Sequence, residues 1–252
     1  MTYCVGILVR EGLVMIGDTR TNAGVDNIAT FRKLHLFETP GERAIGFASA
    51  GNLSVAQSVL SMVTEGFRNP ETGETERLLA VDTMFAAAQL VGRAVREVHR
   101  IGNLSKEQSQ SVAFDVTILL GGQLRGGRLR LFMVYSAGNF IEATQDTPYL
   151  QIGEHKYGKP ILDRSISAET NLADALKLGL ISMDSTIRSN LSVGLPIDIL
   201  TIRRDTYEAD MVYRIDDSEP YFHDLREKWS SALRAAHQAI PAPPYPPRHP
   251  SE

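Results

Sequence analysis

The apolar and polar positions along the chain follow two different repeats, one typical of strands and one typical of helices. Short apolar runs bounded by Gly, Pro, Asp or Asn indicate strands. The first two such runs are separated only by Arg10-Glu11-Gly12, which predicts an N-terminal β-hairpin. In all, strands are predicted at residues 3–9, 13–16, 31–37, 44–48, 115–120, 129–135, 139–143, 149–152, 197–202 and 211–215.

Four other segments place apolar residues three or four positions apart, which is the repeat of an amphipathic helix. They predict helices at residues 53–63, 84–98, 169–191 and 221–236. Ser167 or Glu169 could begin the third of these, which has the clearest apolar face. Strands and helices come in groups and do not strictly alternate, so the chain is predicted to be an α+β protein with helices layered on antiparallel sheets.

The 252 residues suit a single layered domain, and the chain contains neither an internal repeat nor a linker. We predict one domain over residues 2–239. From residue 240 the chain carries prolines at 241, 243, 244, 246, 247 and 250, which exclude a helix or a sheet ladder. Residues 240–252 are therefore predicted to form a flexible, proline-rich arm.

The composition of the chain bears on which partners, cofactors and cellular location to expect. A net charge of −4 gives no reason to expect a nucleic acid or an anionic membrane surface as a partner. No apolar run approaches the roughly 20 residues of a membrane span, and no signal-peptide pattern opens the chain. Cys4 is the only cysteine, so there is no internal disulfide, and the six histidines lack metal-site spacing. We expect a cytoplasmic protein without metal or cofactor.

The candidate chemistry lies near the N-terminus, where Thr2 follows Met1. Removal of Met1 would leave a hydroxyl nucleophile and a free α-amine on the same residue. The predicted hairpin returns Asp18 towards Thr2, and Lys33 is predicted within a third strand that could pair nearby. A nucleophile, a carboxylate and an amine could therefore meet. Taken singly, each has a plainer interpretation: many chains begin Met-Thr, Asp18 could cap a turn, and Lys33 could be a solvated strand residue.

Several short motifs accompany these three residues. They are Gly-Asp-Thr-Arg at 17–20, Gly-Phe-Ala-Ser-Ala-Gly at 46–51, and Thr-Ile-Arg-Ser-Asn-Leu-Ser-Val-Gly at 186–194. Together with Thr2 and Lys33, this set resembles the proteasome-type β subunits of the N-terminal-nucleophile hydrolase superfamily. More narrowly, residues 2–6, 31–35, 152–160 and 188–194 are similar to the bacterial branch called Anbu. The resemblance covers residues 2–215.

The resemblance implies a fold of four layers, αββα, and a threonine protease activity on peptide or amide bonds. Thr2 would be the nucleophile, Lys33 would ease its deprotonation, and Asp18 would hold Lys33. We predict the backbone N–H of Gly51 as the oxyanion donor, with Ala50 as the alternative. The resemblance also implies a homo-oligomer, either a ring or a stacked array, and leaves open whether an unfoldase is a partner. Removal of Met1 would be the only processing step expected.

Two departures from the family pattern bear on activity. Gly153-Glu154-His155 stands where Gly-Ser-Gly is usual, and Ser189 stands where the family has an Asp. Ser192 matches the supporting serine, and Ser189 and Ser192 are the two candidate supporting residues. Loss of the Asp would weaken the electrostatic support of Thr2. Two alternatives to a peptidase follow: a catalytically weak scaffold or binding ring that keeps the fold, and a small-molecule amidohydrolase of the same superfamily.

Overall fold

A computed structural model describes residues 1–22, 28–69, 72–104 and 115–245 of the chain. The chain divides into two compact units, Met1–Ser218 and Glu219–Glu252. The predicted division between residues 239 and 240 falls inside the second unit.

The described residues form strands and helices in the following order. The strands are β1 (Tyr3–Val9), β2 (Gly12–Asp18), β3 (Arg20–Asn22), β4 (Ile28–Thr30), β5 (Leu34–Thr39), β6 (Arg43–Gly51), β7 (Phe67–Arg68), β8 (Thr75–Glu76), β9 (Val116–Leu124), β10 (Arg130–Val134), β11 (Phe140–Glu142), β12 (Tyr149–Gly153), β13 (Ile197–Arg203) and β14 (Met211–Ile215). The helices are α1 (Leu53–Glu65), α2 (Met84–Leu104), α3 (Lys159–Ser165), α4 (Leu172–Ser189) and α5 (Pro220–Ala239), with a short 3₁₀ turn at Leu78–Ala80.

Two five-stranded antiparallel sheets face each other in the first unit. One has the strand order β12-β1-β2-β13-β14, and the other has the order β11-β10-β9-β6-β5. Helices α1 and α2 pack on the second sheet, whereas α4 packs on β1 and β2 of the first and contacts α3. The layers are therefore αββα, which confirms the predicted fold.

Strand β1 is buried on both of its faces, as expected for a strand between a sheet and a helix. Cys4 belongs to the apolar core between the sheets. On the same face, a Cβ built on Gly6 would lie 2.8 Å from a methyl carbon of Leu131. Ile7 points the other way and lies close to Gly179 of α4. Because side chains alternate along a strand, Thr2 shares the inter-sheet face with Cys4.

Several predicted boundaries are wrong. Helix α4 begins after Asn171, whose side chain accepts a hydrogen bond from the backbone N–H of Asp174, and not at Ser167 or Glu169. The sequence predicts a glycine-rich turn over residues 121–127, but strand β9 continues through Leu124, so the turn is shorter. Helix α3 was not predicted, because glycine and proline in residues 153–160 are also typical of a loop.

Two other predictions fall partly outside the described residues. The sequence predicts a loop over residues 21–26, but Thr21 lies within β3, and residues 23–26 lie outside the described residues. Of the predicted C-terminal arm, Ile240 follows α5 and residues 241–245 are irregular, whereas 246–252 lie outside the described residues.

Candidate active site

An open cleft with a volume of about 550 Å³ lies at one end of the two facing sheets. It is bordered by the N-terminus of β1, the end of β6, the first turn of α1 and the residues after β12. Its lining residues are Met1, Thr2, Thr21, Lys33, Ser49, Ala50, Gly51, Asn52, Leu53, Ser54, Ala56, Gly153 and Glu154. Four of the residues predicted for the site, namely Thr2, Lys33, Gly51 and the alternative Ala50, therefore share one cleft.

The main chain of Thr2 is held by the residues that follow β12. The backbone N–H of Glu154 donates to the Thr2 carbonyl oxygen at 2.7 Å. Gly153 has a φ of +78°, and a Cβ built on it would lie only 1.9 Å from that same oxygen. Both the left-handed backbone and the close approach require glycine at this position. Thr2 itself is buried, with 8% of its surface exposed.

The N-terminal hairpin brings Asp18 to the same end of the molecule, as predicted. Cys4 lies opposite Gly17 in the register of β1 and β2. The backbone N–H of Tyr3 donates to Asp18 Oδ1 at 3.0 Å. Asp18 is thereby fixed beside the residue that follows Thr2.

Lys33 lies just before β5 and not within a strand, which corrects the prediction. Its carbonyl oxygen accepts a hydrogen bond from the backbone N–H of Ser49 on β6. Its Nζ donates to Asp18 Oδ1 at 2.9 Å and to the carbonyl oxygen of Arg20 at 2.6 Å. Since the alternation of residues 31–37 continues smoothly, the sequence does not mark where this strand begins.

Asp18 and Lys33 form a buried ion pair, with 0% and 5% of their side chains exposed. Burial raises the pKa of the Asp18 carboxyl, because a charged group loses hydration inside the protein. The charge and hydrogen bond of Lys33, and then the backbone N–H groups of Tyr3 and Gly194, act on this pKa in the opposite direction. The donors at Asp18 Oδ1 thus favour the ionised form and oppose the effect of burial, whereas Asp18 Oδ2 has no hydrogen-bond partner among the described residues.

The end of β6 and the start of α1 form the opposite wall. Gly51 has a φ of +110°, and a Cβ there would lie 2.3 Å from the carbonyl oxygen of Asp115. Asn52 caps α1, since its Oδ1 accepts hydrogen bonds from the backbone N–H groups of Ser54 and Val55. The positive end of the α1 dipole therefore borders the cleft.

The two predicted supporting serines do not join this group. Ser189 is exposed at the end of α4, and neither it nor Ser192 is among the described residues that line the cleft. Asn190, which lies between them, contacts a residue that lines the cleft: its Nδ2 donates to Glu154 Oε2 at 3.0 Å. Sequence reasoning marked Glu154 only as a departure from the family pattern and missed Asn190 altogether.

Within the part of the chain that the structure describes, no group of three or more His, Cys, Asp or Glu side chains is placed to hold a metal ion. Over the same residues, no helix combines the length and the apolar character that a membrane crossing needs.

Two facing antiparallel sheets lie between helix layers, with Thr2 and a lysine at one end. This arrangement defines the class of proteasome-like N-terminal-nucleophile hydrolase folds. Solved structures place the chain within that class. It is 49% identical to Anbu, the ancestral β subunit, from Yersinia bercovieri, with a TM-score of 0.85 and coverage of 95% of this chain and 97% of that one. The protein belongs to the Anbu family.

Two further solved structures are similar. Anbu from Hyphomicrobium sp. strain MC1 is 46% identical, with a TM-score of 0.85 over 95% of this chain and 98% of that one. A helical assembly of the Anbu complex from Pseudomonas aeruginosa contains a chain that is 43% identical, with a TM-score of 0.86 over 96% and 98%. A scan against protein-family models gave no match, and neither did a search of curated proteins.

Proposed function

We propose that this protein is a threonine-type N-terminal-nucleophile hydrolase that cleaves peptide or amide bonds within a homo-oligomeric assembly. The observation that carries the proposal is the position of Thr2 and Lys33 in one cleft, with Lys33 Nζ 2.9 Å from Asp18 Oδ1. The fold and family of the chain support it.

The first step proposed is the removal of Met1, which is 66% exposed and therefore accessible to an aminopeptidase. Once Met1 has been removed, the free α-amine of the chain belongs to Thr2. A free α-amine has a pKa of about 7.7–8.0, so a good fraction of it is neutral near neutral pH. The neutral amine can take the proton of the Thr2 hydroxyl, and the nearby Lys33 cation favours the resulting alkoxide.

The Thr2 oxygen then attacks the substrate carbonyl carbon. The tetrahedral intermediate collapses when the leaving nitrogen receives the proton from the α-ammonium, which leaves an acyl ester on Thr2. Water, deprotonated by the same amine, hydrolyses the ester and restores the hydroxyl. Asp18 holds Lys33 in place throughout.

The negative oxygen of the intermediate needs a donor. We assign this role to the backbone N–H of Gly51, with Ala50 as the alternative, because both line the cleft. A single donor of this kind contributes about 3–4 kcal/mol to the stabilisation of a transition state. The N-terminus of α1 adds a favourable field from the same side.

We further propose that the protein self-associates, as its Pseudomonas aeruginosa relative does in a helical assembly. A ring and a stacked array both remain compatible with the proposal, and light scattering or electron microscopy would separate them. We also propose that the protein acts in the cytoplasm.

The decisive experiment is intact-mass spectrometry of the purified protein with and without a peptide epoxyketone, which reacts with an N-terminal threonine through both its hydroxyl and its amine. We expect loss of Met1 and one adduct per protomer. Thr2→Ser should keep the adduct, and Thr2→Ala should lose it. Thr64→Ala removes an exposed hydroxyl on α1 and should label like the parent protein.

Retention of Met1, or an adduct that survives in Thr2→Ala, would reject the assignment. A stable oligomer that loses Met1 but forms no adduct, and that hydrolyses no peptide, would favour the scaffold alternative. Adduct formation with turnover of small amides alone would favour the small-molecule amidohydrolase.

A further inference from the structure

Glu154, whose backbone is bonded to that of Thr2, contributes a carboxylate to the cleft. Its backbone N–H is bonded to the Thr2 carbonyl oxygen, which continues the β1–β12 ladder by one residue. Only 9% of its side chain is exposed, yet the residue lines the cleft. A carboxylate that is largely removed from water needs donors, so its neighbours indicate what it can still bind.

Asn190 supplies one donor and also shows which way the carboxylate points. The backbone N–H of Ser192 donates to Asn190 Oδ1 at 2.9 Å, which identifies the other amide atom as the Nδ2 donor. That Nδ2 donates to Glu154 Oε2 at 3.0 Å and lies 3.7 Å from the Met1 sulfur. The Glu154 carboxylate is therefore on the side of the cleft where Met1 sits.

The other charged groups around the cleft leave the Glu154 carboxylate able to bind a further cation. Among the described residues that line the cleft, Glu154 is the only one with a carboxylate. Lys156 Nζ lies 3.3 Å from its Oε1, but the Lys156 side chain is 65% exposed, and such a pair is weak in water. Lys33 is already bound by Asp18 and by the carbonyl oxygen of Arg20. Each carboxylate oxygen of Glu154 can accept a further hydrogen bond.

We propose that Glu154 is a positioning residue that binds the α-ammonium group of Thr2 once Met1 has been removed. The inference rests on the proposed function only in requiring that Met1 leaves. The freed nitrogen would carry three N–H donors at the point where the chain now continues into Met1, beside the Glu154 carboxylate. The interaction would fix the nitrogen next to the Thr2 hydroxyl and would favour its protonated form.

The charged and titratable groups around that nitrogen set the expected pH behaviour. Lys33, with Asp18 behind it, faces the cleft from the strand side, and Glu154, with Lys156 and His155 beside it, faces the cleft from the end of β12. The Lys33 cation favours the neutral amine, and the Glu154 anion opposes it. Neutralising Glu154 should therefore lower the pKa of the Thr2 amine.

The test measures that pKa without relying on turnover. Cyanate carbamoylates only neutral amines, so its rate of reaction with the N-terminal peptide, followed by mass spectrometry from pH 5 to pH 9, reports the pKa of the α-amine. In Glu154→Gln, which keeps the size and an acceptor for Asn190, this pKa should fall by about one unit. Asn190→Ala, which releases the side chain of Glu154, should give a smaller change in the same direction.

Glu76→Gln is the matched control, because Glu76 is a half-buried carboxylate paired with Arg93 away from the cleft. It should leave the pKa of the α-amine unchanged. An unchanged or raised pKa in Glu154→Gln would overturn the inference, even if the parent protein forms the epoxyketone adduct. Retained Met1 would overturn both proposals, whereas a lowered pKa without an adduct would support the role of Glu154 and reject the hydrolase.

Discussion

The buried pair between Lys33 and Asp18 makes a strong prediction about stability, independent of any substrate. In Lys33→Met the volume of the side chain is largely kept, but the Asp18 carboxylate is left without its cation. The two atoms lie 2.9 Å apart, and neither side chain has more than 5% of its surface exposed. At an effective dielectric constant of about 20, their attraction is about 6 kcal/mol.

The net loss is smaller than this, because removing Lys33 also removes the cost of burying its charge. Breaking one side of a buried pair typically costs about 3–5 kcal/mol, and we expect a loss in that range for Lys33→Met. Adding Asp18→Asn removes the orphaned charge while keeping an acceptor for the backbone N–H of Tyr3. The double variant should therefore be more stable than Lys33→Met by about 2 kcal/mol.

The assay is urea unfolding at one fixed protomer concentration, since self-association adds to the apparent stability. The pH dependence has a definite sign. Burial raises the pKa of Asp18 in the folded state, and without Lys33 the opposing effect of its charge is gone. The folded variant then binds a proton where the unfolded chain does not, so its stability is greatest at acid pH and falls as the pH rises. The deficit relative to the parent protein should be larger at pH 7 than at pH 4.

A pair on the surface provides the comparison. Lys228 Nζ lies 2.7 Å from Asp224 Oδ2, but the two side chains are 76% and 53% exposed. Lys228→Met should leave the free energy of unfolding within experimental error. The reasoning is refuted if Lys33→Met costs no more than Lys228→Met, if the double variant gains nothing over Lys33→Met, or if the deficit grows towards acid pH.

Three further predictions follow from single positions. Gly153→Ala should lower the free energy of unfolding by clearly more than Gly126→Ala and should prevent inhibitor labelling of Thr2. Both glycines have a φ of +78°, but only a Cβ at position 153 would meet the Thr2 carbonyl oxygen. Equal losses of stability in thermal unfolding would contradict this. The Cys4 thiol is fully buried, and burial raises its pKa, so iodoacetamide should modify it only after unfolding in guanidinium; rapid labelling of the native protein would refute the packing of β1. Asn52→Ala should cost about 1 kcal/mol in urea unfolding through loss of the α1 cap, and an unchanged midpoint would count against that cap.

The parts of the site that could be predicted from the sequence are those that local rules determine. Strands β1 and β2 join through a two-residue turn, so their register follows from their lengths and brings Asp18 back beside Tyr3. Lys33 could be named but not placed. The alternation of apolar and polar residues around it resembles a strand, yet Lys33 precedes β5. It reaches Asp18 through its long side chain, and an alternating pattern gives no information on where such a side chain ends.

The contacts that could not be predicted join residues distant in the sequence. Asn190 and Glu154 are 36 positions apart and meet only because α4 packs on the sheet that ends in β12. Helix α3 was missed for a different reason. Its seven residues are too few to show an apolar repeat. Pro160 is compatible with the helix because it lies in the first turn, where its missing N–H has no partner to lose.

Asp18 and Glu154 are both tied to the start of β1 but have different surroundings, and this difference links the removal of Met1 to the proposed chemistry. Asp18 is buried, accepts hydrogen bonds from Lys33 Nζ and from the backbone N–H of Tyr3, and does not line the cleft. Glu154 lines the cleft on the Met1 side. While Met1 is present, it occupies part of the cleft, and the nitrogen of Thr2 is an amide that can take up no proton. Removal of Met1 would empty that space and create an α-amine on Thr2. In our proposal the Glu154 carboxylate favours the protonated form of this amine, and the Lys33 cation favours the neutral form. One cleavage would therefore supply both the general base and the room for a substrate.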